Sequence, residues 1–155
     1  MADLRSGPAA ARLRSPLLLA LWGLLAVEVG GGLLLFFARL AWGVTPGIAL
    51  HVAAGLALTV LYALYQWRHW LRVAPLRPGL DQTLGLIAAV SMALTLLSGL
   101  WLGSIWWQRT LAAPAATVHY PALLVAIHNI GNMLVIAFLG AHLGAVLTRH
   151  RTREP

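Results

Sequence analysis

The sequence has no cysteine, no lysine and only four carboxylate side chains in 155 residues. The absence of cysteine excludes disulfides, thiolate metal sites, iron–sulfur clusters and covalent attachment of a c-type haem. Charged residues make up 10% of the chain, against about 25% in a soluble domain. Hydrophobic residues make up 60%, and the mean hydropathy is +0.80. These values indicate a membrane protein rather than a soluble globular domain.

Four apolar runs account for most of the chain, at about residues 16–42, 46–70, 82–107 and 119–148. Each is longer than the roughly 20 residues that a helix needs to cross the hydrocarbon core. The basic residues ahead of the first run resemble the start of a signal peptide, but the run is too long for one. We therefore predict an all-α, integral-membrane four-helix transmembrane bundle, formed as a single domain over residues 1–155 with short Arg-rich tails.

The net charge of +7 comes from eleven arginines, and their positions predict the topology. Nine lie before the first run, between the second and third, or after the fourth: Arg5, Arg12, Arg14, Arg68, Arg72, Arg77, Arg149, Arg151 and Arg153. Only Arg39 and Arg109 lie towards the other side. The positive-inside rule then places both termini in the cytoplasm. Anionic membrane lipid, and no nucleic acid, is the expected partner for this charge.

Histidines within the apolar runs are the candidate functional residues. His128 and His142 are fourteen residues apart in the last run, which places them within roughly 40° of one helix face and about 21 Å apart along the axis. His51, in the second run, is expected at about the depth of His128. Buried imidazoles need a partner that offsets their desolvation. A b-type haem held by His51 and His128 is one such partner, and Gly55 and Gly131 would let its flat macrocycle lie close to the backbone.

Other interpretations of the histidines stay open. Each ring could hydrogen-bond a carbonyl or hydroxyl group inside the bundle, or the rings could form a proton relay. A zinc or copper site is less well supported because no cysteine or carboxylate lies near these positions. His142 would imply a second haem, for which His69 is the remaining ligand candidate. However, His69 is about 27 Å along the helix from His51, and its aromatic and basic neighbours indicate an interfacial side chain.

Two charged side chains fall inside or at the edge of the first run. Glu28, near its middle, is expected to be neutral or to hydrogen-bond a neighbouring helix, and it could exchange protons with a quinone. Arg39 lies about a turn from the outer end and could either pair with a haem propionate or extend to the interface. Small residues in the third run are expected to serve helix packing: Gly85, Ser98, Gly99 and Gly103.

Three stretches resemble the bacterial cytochrome b561 family and related cytochrome b subunits of membrane oxidoreductases: His51–Gly55, His128–Gly131 and Leu139–His142. The resemblance implies a four-helix bundle that holds two b haems. It implies that the second-span histidine pairs with the first fourth-span histidine, and that a first-span histidine pairs with the second one. Here Leu17, Leu18 and Leu19 stand where that first-span histidine is expected.

The expected function is therefore that of a membrane b-type cytochrome that transfers electrons between quinone or quinol and a partner redox protein. The chain would be a multi-pass subunit of a larger complex in the bacterial inner membrane, with His51, His128 and His142 as iron ligands. One haem is expected, and His142 allows for a second. The first alternative is a haem-free anchor or scaffold subunit that has kept the fold. A small proton-coupled transporter that uses Glu28 and the histidines is the other.

Overall fold

The computed structural model describes residues 15–73, 79–112 and 119–151 of the chain. They form four helices: α1 (Pro16–Trp42), α2 (Ile48–Val73), α3 (Leu80–Ala112) and α4 (Ala122–Arg151). Each helix is long and apolar enough to cross a membrane. The prediction of an all-helical chain with four candidate membrane spans is confirmed over the residues that the structure describes.

Capping residues fix the two ends of α1. The Ser15 hydroxyl accepts a hydrogen bond from the backbone N–H of Leu18 at 3.2 Å, which satisfies one of the unpaired donors of the first turn. At the other end, the backbone N–H of Gly43 donates to the carbonyl of Arg39 at 3.0 Å. Gly43 and Gly47 have φ values of 69° and 74°, a conformation that favours glycine. The turn between α1 and α2 therefore depends on both glycines.

Helices α3 and α4 pack closely against each other. The buried face of α3 consists mainly of small and polar residues: Ala88, Ser91, Met92, Thr95, Ser98 and Gly103. The hydroxyl groups of Thr95 and Ser98 bond to carbonyls of their own helix, as in the 2.9 Å bond from Thr95 Oγ1 to the carbonyl of Ser91. On α4, Val135 is almost fully buried. Small side chains let two backbones approach, which is how helices associate where water supplies no driving force.

The exposed surface of the helices is strongly apolar. Leucine and phenylalanine side chains are more than half exposed on α1, α3 and α4, for example Leu34, Phe37, Leu97 and Leu123. Such exposure is unfavourable in water but matches the acyl chains of a bilayer. The fold thus supports a multi-pass membrane protein.

The chain divides into two compact units after His69. The first contains α1 and most of α2, and the second contains the last turn of α2 with α3 and α4. The predicted single membrane domain stays a prediction. Five of the arginines on which the topology depends lie outside the described residues: Arg5, Arg12, Arg14, Arg77 and Arg153.

Candidate functional site

The ring of His128 on α4 is held by the backbone of α3. Its Nδ1 lies 2.9 Å from the carbonyl oxygen of Thr95, and the hydroxyl of Ser98 lies 3.4 Å from the same nitrogen. A carbonyl oxygen only accepts hydrogen bonds, so Nδ1 must carry the proton and donate it. The neutral ring then carries its lone pair on Nε2.

His142 is held in the same way about four turns further along α4. Its Nδ1 lies 2.7 Å from the carbonyl oxygen of Asp81, again on α3. This ring therefore also donates from Nδ1, and in the neutral form its lone pair is on Nε2. Both histidines reach α3, in agreement with the prediction that they share one face of their helix.

A glycine of α3 lies against each of the two rings. A Cβ atom at Gly99 would lie 2.9 Å from Cε1 of His128, and one at Gly85 would lie 2.9 Å from Cε1 of His142. Each glycine comes four residues after the residue whose carbonyl accepts the hydrogen bond. The two glycines are fourteen residues apart, as are the two histidines. The antiparallel pair α3–α4 thus contains the same histidine–carbonyl–glycine arrangement twice.

His51 on α2 has a different partner within the first unit. Its Nδ1 lies 3.2 Å from Oε2 of Glu28 on α1, and both side chains are mostly buried, with exposed fractions of 20% and 14%. A Cβ at Gly55 would lie 3.2 Å from the same Oε2 atom. Gly55, predicted from the sequence to lie beside a macrocycle, therefore provides room for the Glu28 carboxyl group. The contact between Glu28 and His51 was not predicted.

The remaining predicted site residues have other surroundings. A Cβ at Gly131 would lie 2.5 Å from Oγ1 of Thr95, so this glycine permits the close approach of α4 to α3. His69 stacks on Tyr65 one turn earlier, with ring centroids 5.5 Å apart and planes 14° apart. Arg39 lies in the last turn of α1 with an exposed side chain. These surroundings do not test the roles predicted for the three residues.

Comparison with known proteins adds no assignment. No family model, curated protein or solved structure matches this chain. Any function of the chain therefore rests on its own residues and on the geometry that surrounds them.

The side chains that could bind a metal ion are dispersed. Among the described residues, no three His, Cys, Asp or Glu side chains gather into a group that could hold a metal ion. A structural zinc ion takes four protein ligands and a catalytic one takes three, whereas haem iron takes only its axial ligands from the protein. Separate histidines on different helices are compatible with axial ligation of haem iron.

We expect Gly131→Ala to destabilise the α3–α4 pair by about 1–3 kcal/mol, the usual cost of overpacking. The reason is the 2.5 Å approach of the new Cβ to Oγ1 of Thr95, whose hydroxyl is already bonded to its own helix. Unfolding of the purified chain in detergent by a denaturing surfactant would measure the change. Adding Thr95→Ala removes Oγ1 and should restore most of the stability. Equal destabilisation in the single and double variants would contradict this account.

Proposed function

We propose that the chain is a multi-pass membrane b-type cytochrome in which His51 and His128 are the axial ligands of one haem. The observation that supports this proposal best is the hydrogen bond that the His128 ring donates from Nδ1. Histidines that bind a metal almost always donate their other ring N–H to a carbonyl, a carboxylate or water, which fixes the ring and leaves the second nitrogen for the metal. His128 has this arrangement through the carbonyl of Thr95.

The donor set fits a b-type haem. Neutral imidazoles are common axial ligands of haem iron, and a chain without cysteine can hold the cofactor only by such non-covalent ligation. His51 has an oxygen of Glu28 close to its Nδ1, so its Nε2 is also the nitrogen suited to coordination. The pairing of His51 with His128 in this proposal comes from the sequence.

His142 is the ligand that we propose for a second haem. It repeats the arrangement of His128, with a 2.7 Å bond to the carbonyl of Asp81. The opposite ligand is not assigned: the first span has Leu17, Leu18 and Leu19 where the resemblance implies a histidine, and the His69 ring stacks on Tyr65. A neighbouring subunit is a source that would suit a chain made almost entirely of membrane helices.

Bound haem would supply one-electron transfer between its ferric and ferrous states. The contribution of the chain is to orient the imidazoles and to surround them with apolar helices that keep water away. We propose quinol as the electron donor or quinone as the acceptor, and a second redox protein as the other partner. We also propose that the chain lies in the bacterial inner membrane, with both termini in the cytoplasm, as the arginine distribution favours.

A haem-free scaffold subunit is the second candidate, and one observation favours it. The hydrogen bonds from His128 and His142 join α4 to α3 without any cofactor. Interhelical hydrogen bonds of this kind contribute about 0.6 kcal/mol each on average in membrane proteins. In this interpretation the histidines stabilise the helix pair and carry no chemistry.

A reduced-minus-oxidised absorption spectrum of the detergent-purified chain, with haem and protein both quantified, separates the two candidates. A b-type α-band at about one haem per chain would support the site of His51 and His128. About two haems per chain would support the role of His142 as well. Purification from haem-replete cells with no haem bound and none taken up on addition would contradict the cytochrome and leave the scaffold.

A further inference from the structure

Glu28 is the only carboxylate within the apolar part of the four helices, and it lies against His51. One carboxyl oxygen, Oε2, is 3.2 Å from Nδ1 of the ring. The other, Oε1, is buried and has no hydrogen-bond partner among the described residues. Burial of a carboxyl group is costly unless it interacts with a partner, so helix packing alone does not explain a glutamate at this position. The contact with His51 does.

Glycines shape the space around this pair. Gly55 lies one turn after His51 on α2, and a Cβ there would be 3.2 Å from Oε2 and 3.7 Å from Cδ of Glu28. The first distance is tighter than most real Cβ contacts, so an alanine would press on the carboxyl group. On α1, a Cβ at Gly31 would lie 3.8 Å from Nδ1 of His51, an ordinary contact. Glycine at position 55 therefore allows the carboxyl group to reach the ring.

The three candidate ligands differ in what lies at Nδ1. His128 and His142 donate to neutral backbone carbonyls, whereas His51 faces a carboxyl group. Hydrogen bonds to charged acceptors are about twice as strong as those to neutral ones. A carboxylate at Nδ1 raises the basicity of the ring and makes its other nitrogen a stronger donor to a metal. A stronger donor stabilises ferric over ferrous iron, which lowers the reduction potential.

We propose that Glu28 is a positioning residue: it accepts the Nδ1–H of His51, fixes Nε2 as the coordinating nitrogen and lowers the reduction potential of the haem bound there. The inference deepens the proposed function and rests on it. Glu28 touches no iron in this account and acts only through His51. Of the two histidines proposed for this haem, His51 would be held by a carboxyl group and His128 by a carbonyl.

Two substitutions at position 28 test the proposal in the full-length purified chain. Glu28→Gln keeps an oxygen that can accept the hydrogen bond but removes the charge, so haem should remain bound with a higher reduction potential. A tenfold change in the ferric-to-ferrous preference corresponds to about 59 mV for one electron. Glu28→Leu removes the acceptor and should weaken haem binding by 10- to 100-fold. Gly30→Ala, next to open space on the same helix, is the matched control and should change neither quantity.

Gly55→Ala provides a second route that leaves the charge in place. The new Cβ displaces the carboxyl group from His51, so the potential should rise as it does in Glu28→Gln. This variant also keeps the test decisive if Glu28→Leu fails to fold. Unchanged potentials in Glu28→Gln and Gly55→Ala would overturn the proposal.

A readout that needs no haem separates this inference from the proposed function. Nitrogen-15 NMR of the haem-free chain, with histidine labelled, reports which ring nitrogen of His51 carries the proton. We expect protonation at Nδ1 in the parent and a mixture of tautomers in Glu28→Leu. The same tautomer state in both would overturn the role of Glu28. If the chain binds no haem but the tautomer still changes in Glu28→Leu, the proposed cytochrome is contradicted and the role of Glu28 at His51 is not.

Discussion

His128→Ala is expected to remove the haem that we propose for His51 and His128, lowering the haem content by about one per chain. Alanine supplies no ligand to the iron, and a b-type haem has no covalent bond that would retain it. The accompanying loss of the hydrogen bond to the Thr95 carbonyl costs only about 0.6 kcal/mol, so the helix pair should remain folded. Haem-to-protein ratios and the reduced-minus-oxidised spectrum of the purified variant would measure the effect.

The controls for this variant distinguish ligation from packing. His119→Ala changes an exposed histidine ahead of α4 and should leave the spectrum unchanged. Imidazole added to His128→Ala can replace the missing ring as a ligand and should partly restore the α-band, whereas it cannot replace a helix-joining hydrogen bond. The scaffold predicts a small loss of stability instead. A full haem complement in His128→Ala would contradict the proposed ligand.

The helices could be predicted from the sequence because one property decides them. A membrane span must satisfy its own backbone hydrogen bonds, and a single continuous apolar run of more than about 20 residues can do so only as a helix. The bounds of α1 were predicted as the structure has them, at 16 and 42. Helix α3 extends from Leu80 to Ala112, beyond the predicted 82–107, because hydropathy detects the apolar part of a helix and not its polar ends.

The site was predictable only where it depends on one helix. The spacing of His128 and His142 is enough to place both rings on one face of α4. Their acceptors are backbone carbonyls, which every residue has, so no side-chain pattern marks them. One signal is present in the sequence: Gly85 and Gly99 have the same fourteen-residue spacing as the histidines. Each glycine taken alone indicates only helix packing.

The contact between Glu28 and His51 could not be predicted from the sequence, for a different reason. The register of α1 against α2 depends on how residues 43–47 turn, and this turn contains two glycines with positive φ. Periodicity within each helix says nothing about that register. A buried carboxylate in one span favours a histidine partner in the next, since each is costly to bury without the other. The second span contains both His51 and His69, however, so the sequence does not decide between them.

Gly99→Ala is expected to lower the affinity for the haem that we propose as bound by His128 by 10- to 100-fold, the range found when groups that orient a metal ligand are lost. The added Cβ would lie 2.9 Å from Cε1 and 3.2 Å from Nδ1 of the ring, so the ring must move away from the Thr95 carbonyl that holds it. Helix stability should not fall in parallel, because alanine has a helix propensity about 1 kcal/mol better than glycine. Haem titration of the purified chain, with helix content followed by circular dichroism, would measure both.

Gly85→Ala applies the same change to the other ring, because its Cβ would lie 2.9 Å from Cε1 and 3.0 Å from Nδ1 of His142. Comparing the two variants shows which histidine binds haem. If both rings bind, each variant should weaken one of two haems; if only His128 binds, Gly85→Ala should leave haem affinity unchanged. Gly140→Ala on α4, where the added Cβ meets open space, should leave both intact. Equal affinity in Gly99→Ala and Gly140→Ala would show that the ring position set by α3 does not matter, and would favour a structural role for His128.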